Sequence, residues 1–203
     1  MNFELKEHAL KAKEALLNHG VVAFPTETVM GLAIVYNDQK AYSRLNEIKR
    51  RPEDKPYTLM LKSKDEMNKY GVISKPIQRI IDAFVPGPIT ILVPLKVGTV
   101  PEYVTHGTPI LGMRVPENEE SIAVLEEVNE PLLVPSANRS GEAPALTSEE
   151  VIKIFGSEID YVVPGEAGKS LPSTIVDLTK MTPVVLRKGP ISEAEILKIW
   201  NQQ

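Results

Sequence analysis

The sequence predicts an α/β domain built on a mixed sheet, and three observations carry that expectation. Short apolar runs of strand length alternate with stretches of helical periodicity from the start of the chain onward. Late in the chain, strand-like segments near Tyr161, at Ile175–Leu178 and at Val184–Leu186 follow one another, which favours a mixed sheet over a purely parallel one. Finally, 203 residues with 42% hydrophobic content and no repeat or low-complexity tract suit one domain, 1–203, with a substantial core and room for a small C-terminal lobe.

The elements follow in order. From Glu4 to His19, Leu5, Ala9, Ala12, Leu16 and Leu17 form a helical stripe that Gly20 ends. Val21–Phe24 is a buried strand stopped by Pro25; it opens into Thr26-Glu27-Thr28, two hydroxyls and a carboxylate, before Gly31 closes the segment. Lys40 to Arg50 is a helix with Tyr42, Leu45 and Ile48 inward, ending before Pro52. Tyr57–Leu61 is a strand, and Ser63 with Glu66 is a capping-box pattern for a short helix through Tyr70. A helix from Pro76 to Phe84 breaks at Pro86-Gly87-Pro88, and Ile89–Leu95 and Ile110–Val115 are strands. Glu119 to Asn129 is helical, and Leu132–Val134 is a short strand. Capping boxes at Thr147/Glu150 and Ser192/Glu195 open the last two helices.

Composition removes several classes of function. Cysteine is absent, which excludes disulfides, thiolate nucleophiles and Cys-based zinc sites. The first residues are charged and helical without the apolar core of a signal peptide, and no run approaches the roughly 20 apolar residues that span a bilayer, so a soluble cytoplasmic protein without a membrane partner is expected. The net charge of −4 argues against a protein held to nucleic acid by bulk electrostatics, while leaving room for a local basic groove.

Several segments carry chemistry. Polar residues delivered at the end of a buried strand, as at Pro25–Thr28, are a common way to build an α/β ligand site. Lys49-Arg50-Arg51-Pro52-Glu53-Asp54-Lys55-Pro56 gathers four cations at a helix C-terminus, where the helix dipole also favours them; the prolines stiffen the loop into something that suits a polyphosphate. Ser136 and Asn138 leave the strand end at Val134, where a hydroxyl and an amide can fix a phosphate or a ribose or simply build a turn. Arg114, in the otherwise apolar Gly112–Pro116 run, needs an anionic partner, either structural or a substrate carboxylate, and Arg187 repeats that arrangement. Ser173-Thr174 places two more hydroxyls at a strand start. Gly165–Ser170 resembles a phosphate-binding P-loop but has two residues between its glycines where four are required, and Leu171-Pro172 blocks the helix that would follow; it is rejected. His8, His19 and His106 have neither metal-ligand spacing nor a dyad partner, so no protein metal site is expected.

Taken in order, AFPTETVMGL at 23–32, KRRPEDKP at 49–56, PGPIT at 86–90, GMRVP at 112–116, PSAN at 135–138, STIVDL at 173–178 and LRKGP at 186–190 resemble the YrdC-like threonylcarbamoyl-AMP synthases over nearly the whole chain. The resemblance implies a twisted mixed sheet flanked by helices, with a concave basic groove. It implies a nucleotidyltransferase that makes threonylcarbamoyl-adenylate and pyrophosphate from L-threonine, bicarbonate and ATP. Partner enzymes would then pass the threonylcarbamoyl group to an adenosine beside the anticodon of certain tRNAs. By the same match Lys49 and Arg51 are the catalytic cations, and Arg51, Lys55, Ser136, Asn138 and Arg187 contact ATP, with backbone contacts at Ile110 and Pro144. Thr28, Arg114 and Ser173 hold threonine, Arg114 by its carboxylate, with Met60 and Val134 beside them. Magnesium would bind mainly through ATP phosphates.

The match has departures. Met30 stands where the family has Tyr, and Met60 where many members have a His that helps hold threonine. Lys55–Met60 and Gly112–Pro116 look closer to YciO-like paralogues, which leaves a paralogue with different or weak nucleotide chemistry as one alternative. A module gripping tRNA or double-stranded RNA directly is another, disfavoured by the acidic balance and by 5% aromatic content. The longer synthases carry an additional C-terminal domain, which is not expected in these 203 residues.

Overall fold

A computed structural model describes residues 3–52, 55–168 and 171–202. Glu53 and Asp54 of the cationic loop, and Lys169 and Ser170 of the rejected P-loop resemblance, lie outside the described residues. The chain runs α1 (Phe3–Leu17), β1 (Val22–Phe24), β2 (Gly31–Val35), α2 (Gln39–Lys49), β3 (Thr58–Met60), α3 (Met67–Tyr70) and α4 (Lys75–Phe84). It continues with β4 (Ile89–Pro94), α5 (Glu102–Thr105), β5 (Ile110–Arg114), α6 (Glu119–Val128), β6 (Leu132–Leu133) and α7 (Ser148–Phe155), then β7 (Tyr161–Val162), β8 (Thr174–Asp177), β9 (Val184–Arg187) and α8 (Glu193–Trp200).

One nine-stranded sheet, ordered β7-β1-β2-β6-β3-β5-β4-β8-β9, collects every strand. Three of its pairs, β1 with β7, β3 with β5 and β4 with β8, are parallel and the others antiparallel, so the mixed sheet expected from the sequence is present. Two elements depart from expectation. Gly31, expected to close a segment, instead begins β2, which folds back antiparallel on β1. Ser63 makes no side-chain cap; a 3₁₀ turn over Lys64–Glu66 precedes α3. The other two capping patterns form. Thr147 accepts from Glu150 N at 3.2 Å, and Ser192 and Glu195 close a reciprocal box.

Strand alternation divides the core into two layers. Ala23, Leu32, Ile34, Leu59, Leu61, Ile91 and Met113 face helices α2, α4, α7 and α8 through Leu45, Ile80, Val151 and Ile196. On the opposite face, Val22, Phe24, Ala33, Val35, Met60 and Leu132 pack under α1 and α6 through Ala9, Ala12, Leu16, Ala123 and Val124. Those two helices stop short of the far half of their face. There the sheet presents Thr58, Arg114, Thr90, Ile175 and Arg187, from five adjacent strands, to a cavity of about 300 Å³.

Candidate functional site

The floor of the cavity is a cross-strand row. Arg114 pairs with Met60, Thr90 with Ile175 and Ile175 with Arg187, while Ile91 pairs with Met113, which sets Thr90 beside Arg114. Two cations therefore stand on one face of the sheet with Thr90 and Ile175 between them. Met60, next in the row, is 1% exposed because its thioether packs into the layer beneath α1 and α6.

The strand-end segment Thr26-Glu27-Thr28 supplies one wall. Thr26 Oγ1 donates to Val29 O at 2.8 Å, so at 2.9 Å it accepts from Thr28 Oγ1, whose lone pairs take Arg114 Nη2 at 2.9 Å. Arg114 Nη2 also lies 2.8 Å from Glu27 Oε1. Opposite, Arg187 Nε donates to Ser173 O at 2.9 Å and Nη2 to Ser173 Oγ at 3.0 Å, and the Ser173 hydroxyl meets Thr90 Oγ1 at 2.9 Å. Burial, and then the neighbouring Arg114, pull the Arg187 guanidinium below its ordinary range.

The remaining wall is the cationic loop and the segment after β6. Lys49 ends α2, and its backbone turns away at Arg50, whose φ of 50° is the left-handed cap. The Lys49 side chain is 2% exposed and points inward, donating from Nζ to Ser136 O at 2.5 Å and to Asn138 O at 2.7 Å. Burial, then Arg51, Lys55 and Arg139, lower its ammonium to a pKa of about 7. Arg51 donates to Lys55 O at 3.2 Å and Pro56 O at 2.8 Å, and its guanidinium lies 4.2 Å over the Tyr57 ring. Tyr57 is itself fixed by Asn46, its hydroxyl donating to Oδ1 at 2.6 Å. Ser136 Oγ donates to Asn138 Oδ1 at 2.5 Å, while Asn138 Nδ2 donates to Arg139 O and Glu142 O, which closes the turn.

The structure thus brings Thr28, Lys49, Arg51, Lys55, Arg114, Val134, Ser136, Asn138, Ser173 and Arg187 to one cavity. Three candidates fall outside its lining. Met60 is covered by the core, and Ile110 stands at the far end of β5, paired with Pro94. Pro144 borders a separate depression with Glu150, Lys153 and Ile154. Thr58, Tyr57, Thr90 and Ser140 line the cavity without having been singled out as candidates; Thr90 was within reach, since it closes the PGPIT segment. The rejected P-loop segment has a packing role. A Cβ on Gly168 would lie 2.9 Å from Glu27 O, so only glycine lets this turn press against the strand-end segment.

Comparison with known proteins agrees with this architecture. The Sua5/YciO/YrdC family model, described as telomere recombination, matches residues 14–189, and the chain belongs to that family. It is 32% identical over 204 residues to the threonylcarbamoyl-AMP synthase of Pyrococcus abyssi, an alignment covering 98% of this chain and 59% of the relative. It is 33% identical over 195 residues to a putative threonylcarbamoyl-AMP synthase of Methanocaldococcus jannaschii, covering 93% of this chain and 91% of the relative. Among solved structures, P. abyssi Sua5 complexed with L-threonine superposes with a TM-score of 0.87 at 31% identity, covering 96% of this chain and 56% of that one. E. coli YciO superposes with a TM-score of 0.87 at 28% identity, covering 95% and 94%. No helix among the described residues is long and apolar enough to cross a membrane.

Proposed function

We propose that this chain is a threonylcarbamoyl-AMP synthase, a nucleotidyltransferase that joins L-threonine, bicarbonate and ATP into threonylcarbamoyl-adenylate with release of pyrophosphate. The observation that carries the reading is a cavity lined by five cations, Lys49, Arg51, Lys55, Arg114 and Arg187, and by no carboxylate among the described residues. Such a wall suits a reaction in which two anions must meet. The carbamate oxygen of N-carboxythreonine attacks the α-phosphorus, the new oxygen–phosphorus bond forms, and the bond to the β-phosphate oxygen breaks as pyrophosphate leaves. The carbamate is already anionic, so the step needs charge screening and alignment more than a strong base.

Roles follow from position. Arg114 and Thr28 take the threonine carboxylate and Ser173 its polar edge, while Lys49, Arg51, Lys55 and Arg187 take the triphosphate with Ser136 and Asn138 beside them. Magnesium would arrive on phosphate oxygens, which agrees with a lining that offers it no carboxylate among the described residues. The product would then serve partner enzymes that carry the threonylcarbamoyl group to tRNA. The test is pyrophosphate release from ATP and magnesium with and without threonine and bicarbonate. Release that requires both supports the synthase. ATP binding without threonine-dependent release would replace it with a paralogue of different nucleotide chemistry.

A further inference from the structure

Three of the five cavity cations meet only neutral partners among the described residues. Lys49 donates to the carbonyls of Ser136 and Asn138, Arg51 to those of Lys55 and Pro56, and Arg187 to the carbonyl and hydroxyl of Ser173. Arg114 differs, because Glu27 Oε1 stands 2.8 Å from its Nη2. Glu27 lies behind that guanidinium and outside the cavity wall. The two side chains are 9% and 13% exposed, and among the described residues neither carboxylate oxygen has a hydrogen-bond partner beyond this ion pair.

Gly168 holds the acid in place from the other side. Its N–H donates to Thr26 O at 3.0 Å, and its missing side chain lets the turn lie against the Glu27 backbone. A carboxylate kept this dry is costly to desolvate, and Arg114 is the charge that offsets the cost. Its effect is an asymmetry: Arg114 presents a charge-compensated pair, whereas the opposite end of the cavity presents uncompensated positive charge.

We propose that Glu27 sets the ligand-charge selectivity of the Arg114 end. By neutralising Arg114 it reserves that end for a net-neutral amino acid zwitterion and leaves the polyphosphate to the uncompensated cations. Glu27 acts through Arg114 and is a positioning residue. This inference rests on the reading of the cavity as an amino acid and nucleotide site.

The experiment is calorimetric titration of the full chain, wild type and Glu27→Gln, with L-threonine and separately with inorganic pyrophosphate. Glutamine keeps the shape and removes the charge. Pyrophosphate should bind about tenfold more tightly to the variant and begin to compete with threonine for the uncovered Arg114, a gain of affinity that general loss of structure cannot produce. A pyrophosphate affinity that is unchanged or weakened in the variant would overturn the assignment. The wild type gives a second arm that needs no variant: saturating threonine should leave pyrophosphate affinity within about twofold, because the two occupy ends of different charge. Direct competition between them would overturn the assignment, since it would put the polyphosphate on Arg114. A wild type that binds pyrophosphate but no threonine would instead refute the functional reading, and this assignment with it.

Discussion

Arg187 holds Ser173 at two atoms, its carbonyl from Nε at 2.9 Å and its hydroxyl from Nη2 at 3.0 Å. Through Thr90, 2.9 Å from the same hydroxyl, this contact ties β9 to the start of β8 and to the middle of the sheet. One side chain therefore joins the cation assigned to the nucleotide with the hydroxyl assigned to the amino acid.

Ser173→Ala should accordingly act on both substrates. It leaves Arg187 Nη2 and the buried Thr90 hydroxyl short of a partner, at a cost of about 1–3 kcal/mol in stability. Steady-state kinetics should show KM raised for ATP and threonine together, with a lower melting temperature. Arg114→Ala should raise chiefly the threonine KM, and an unchanged threonine dependence in that variant would exclude its carboxylate contact.

On the proposed reading, Lys49 should make nucleotide binding proton-linked. Its ammonium titrates near 7 in the empty site, depressed by burial and by the surrounding cations. A bound triphosphate supplies the missing negative charge and raises that value, so binding at pH 8 should take up a proton. Calorimetry in buffers of different ionisation enthalpy reads this directly, and Lys49→Met should abolish it. The sign for stability follows from the same shift. The unfolded chain keeps the proton to about pH 10.4 and the native chain only to about 7, so on this group's account stability rises with pH through that window. A melting temperature that falls between pH 7.5 and 9.5 in wild type relative to Lys49→Met would contradict this account.

Arg51→Ala should lower turnover at least about a hundredfold, as loss of a transition-state charge contact does. Among the described residues its guanidinium contacts only backbone carbonyls and the Tyr57 ring, so stability should change by no more than about 1 kcal/mol. Thermal melting beside the rate assay separates the two effects. A folded variant with near-normal turnover would remove Arg51 from the mechanism.

Gly189 predicts a purely packing effect with a functional result. A Cβ there would stand 2.4 Å from Thr174 N and 2.6 Å from Pro172 O, both backbone atoms that cannot rotate away. Gly189→Ala should cost about 1–3 kcal/mol and draw Arg187 off Ser173. Denaturant unfolding checks the first, and the ATP KM, which should rise, checks the second.

Much of this site was legible because its groups leave strand ends or a stiff loop. Pro25–Thr28, Pro135–Asn138 and Ser173 are polar residues set against apolar runs, and that contrast survives in one dimension. Direction does not. A lysine at a helix C-terminus reads as solvated, yet Lys49 is buried because two carbonyls of a segment about ninety residues away accept its protons. Alternation along β3 puts Met60 on the cavity's face of the sheet, but only the positions of α1 and α6 show that this stretch of the face is covered. Strand β2 escaped because Gly31 looked like punctuation, whereas its lack of a side chain makes room for Val134, whose Cγ1 would lie 2.6 Å from a Cβ there. Glu27 lay in plain view between two threonines, with no sign that its charge is spent on Arg114.

The row Met60–Arg114, Thr90–Ile175 and Ile175–Arg187 draws on residues scattered over most of the chain. Its two cations, Arg114 and Arg187, stand on strands far apart in the sequence, so the row comes into being only when the distant parallel pairings close, the slow kind of contact to form. On the proposed reading, tight nucleotide binding would be a readout of completed folding, because Arg187 joins the Lys49–Lys55 loop only in the finished sheet. A ligand that binds the finished sheet and not its parts would by mass action brace five strands at once. On the proposed reading, ample nucleotide would then also help keep the protein assembled.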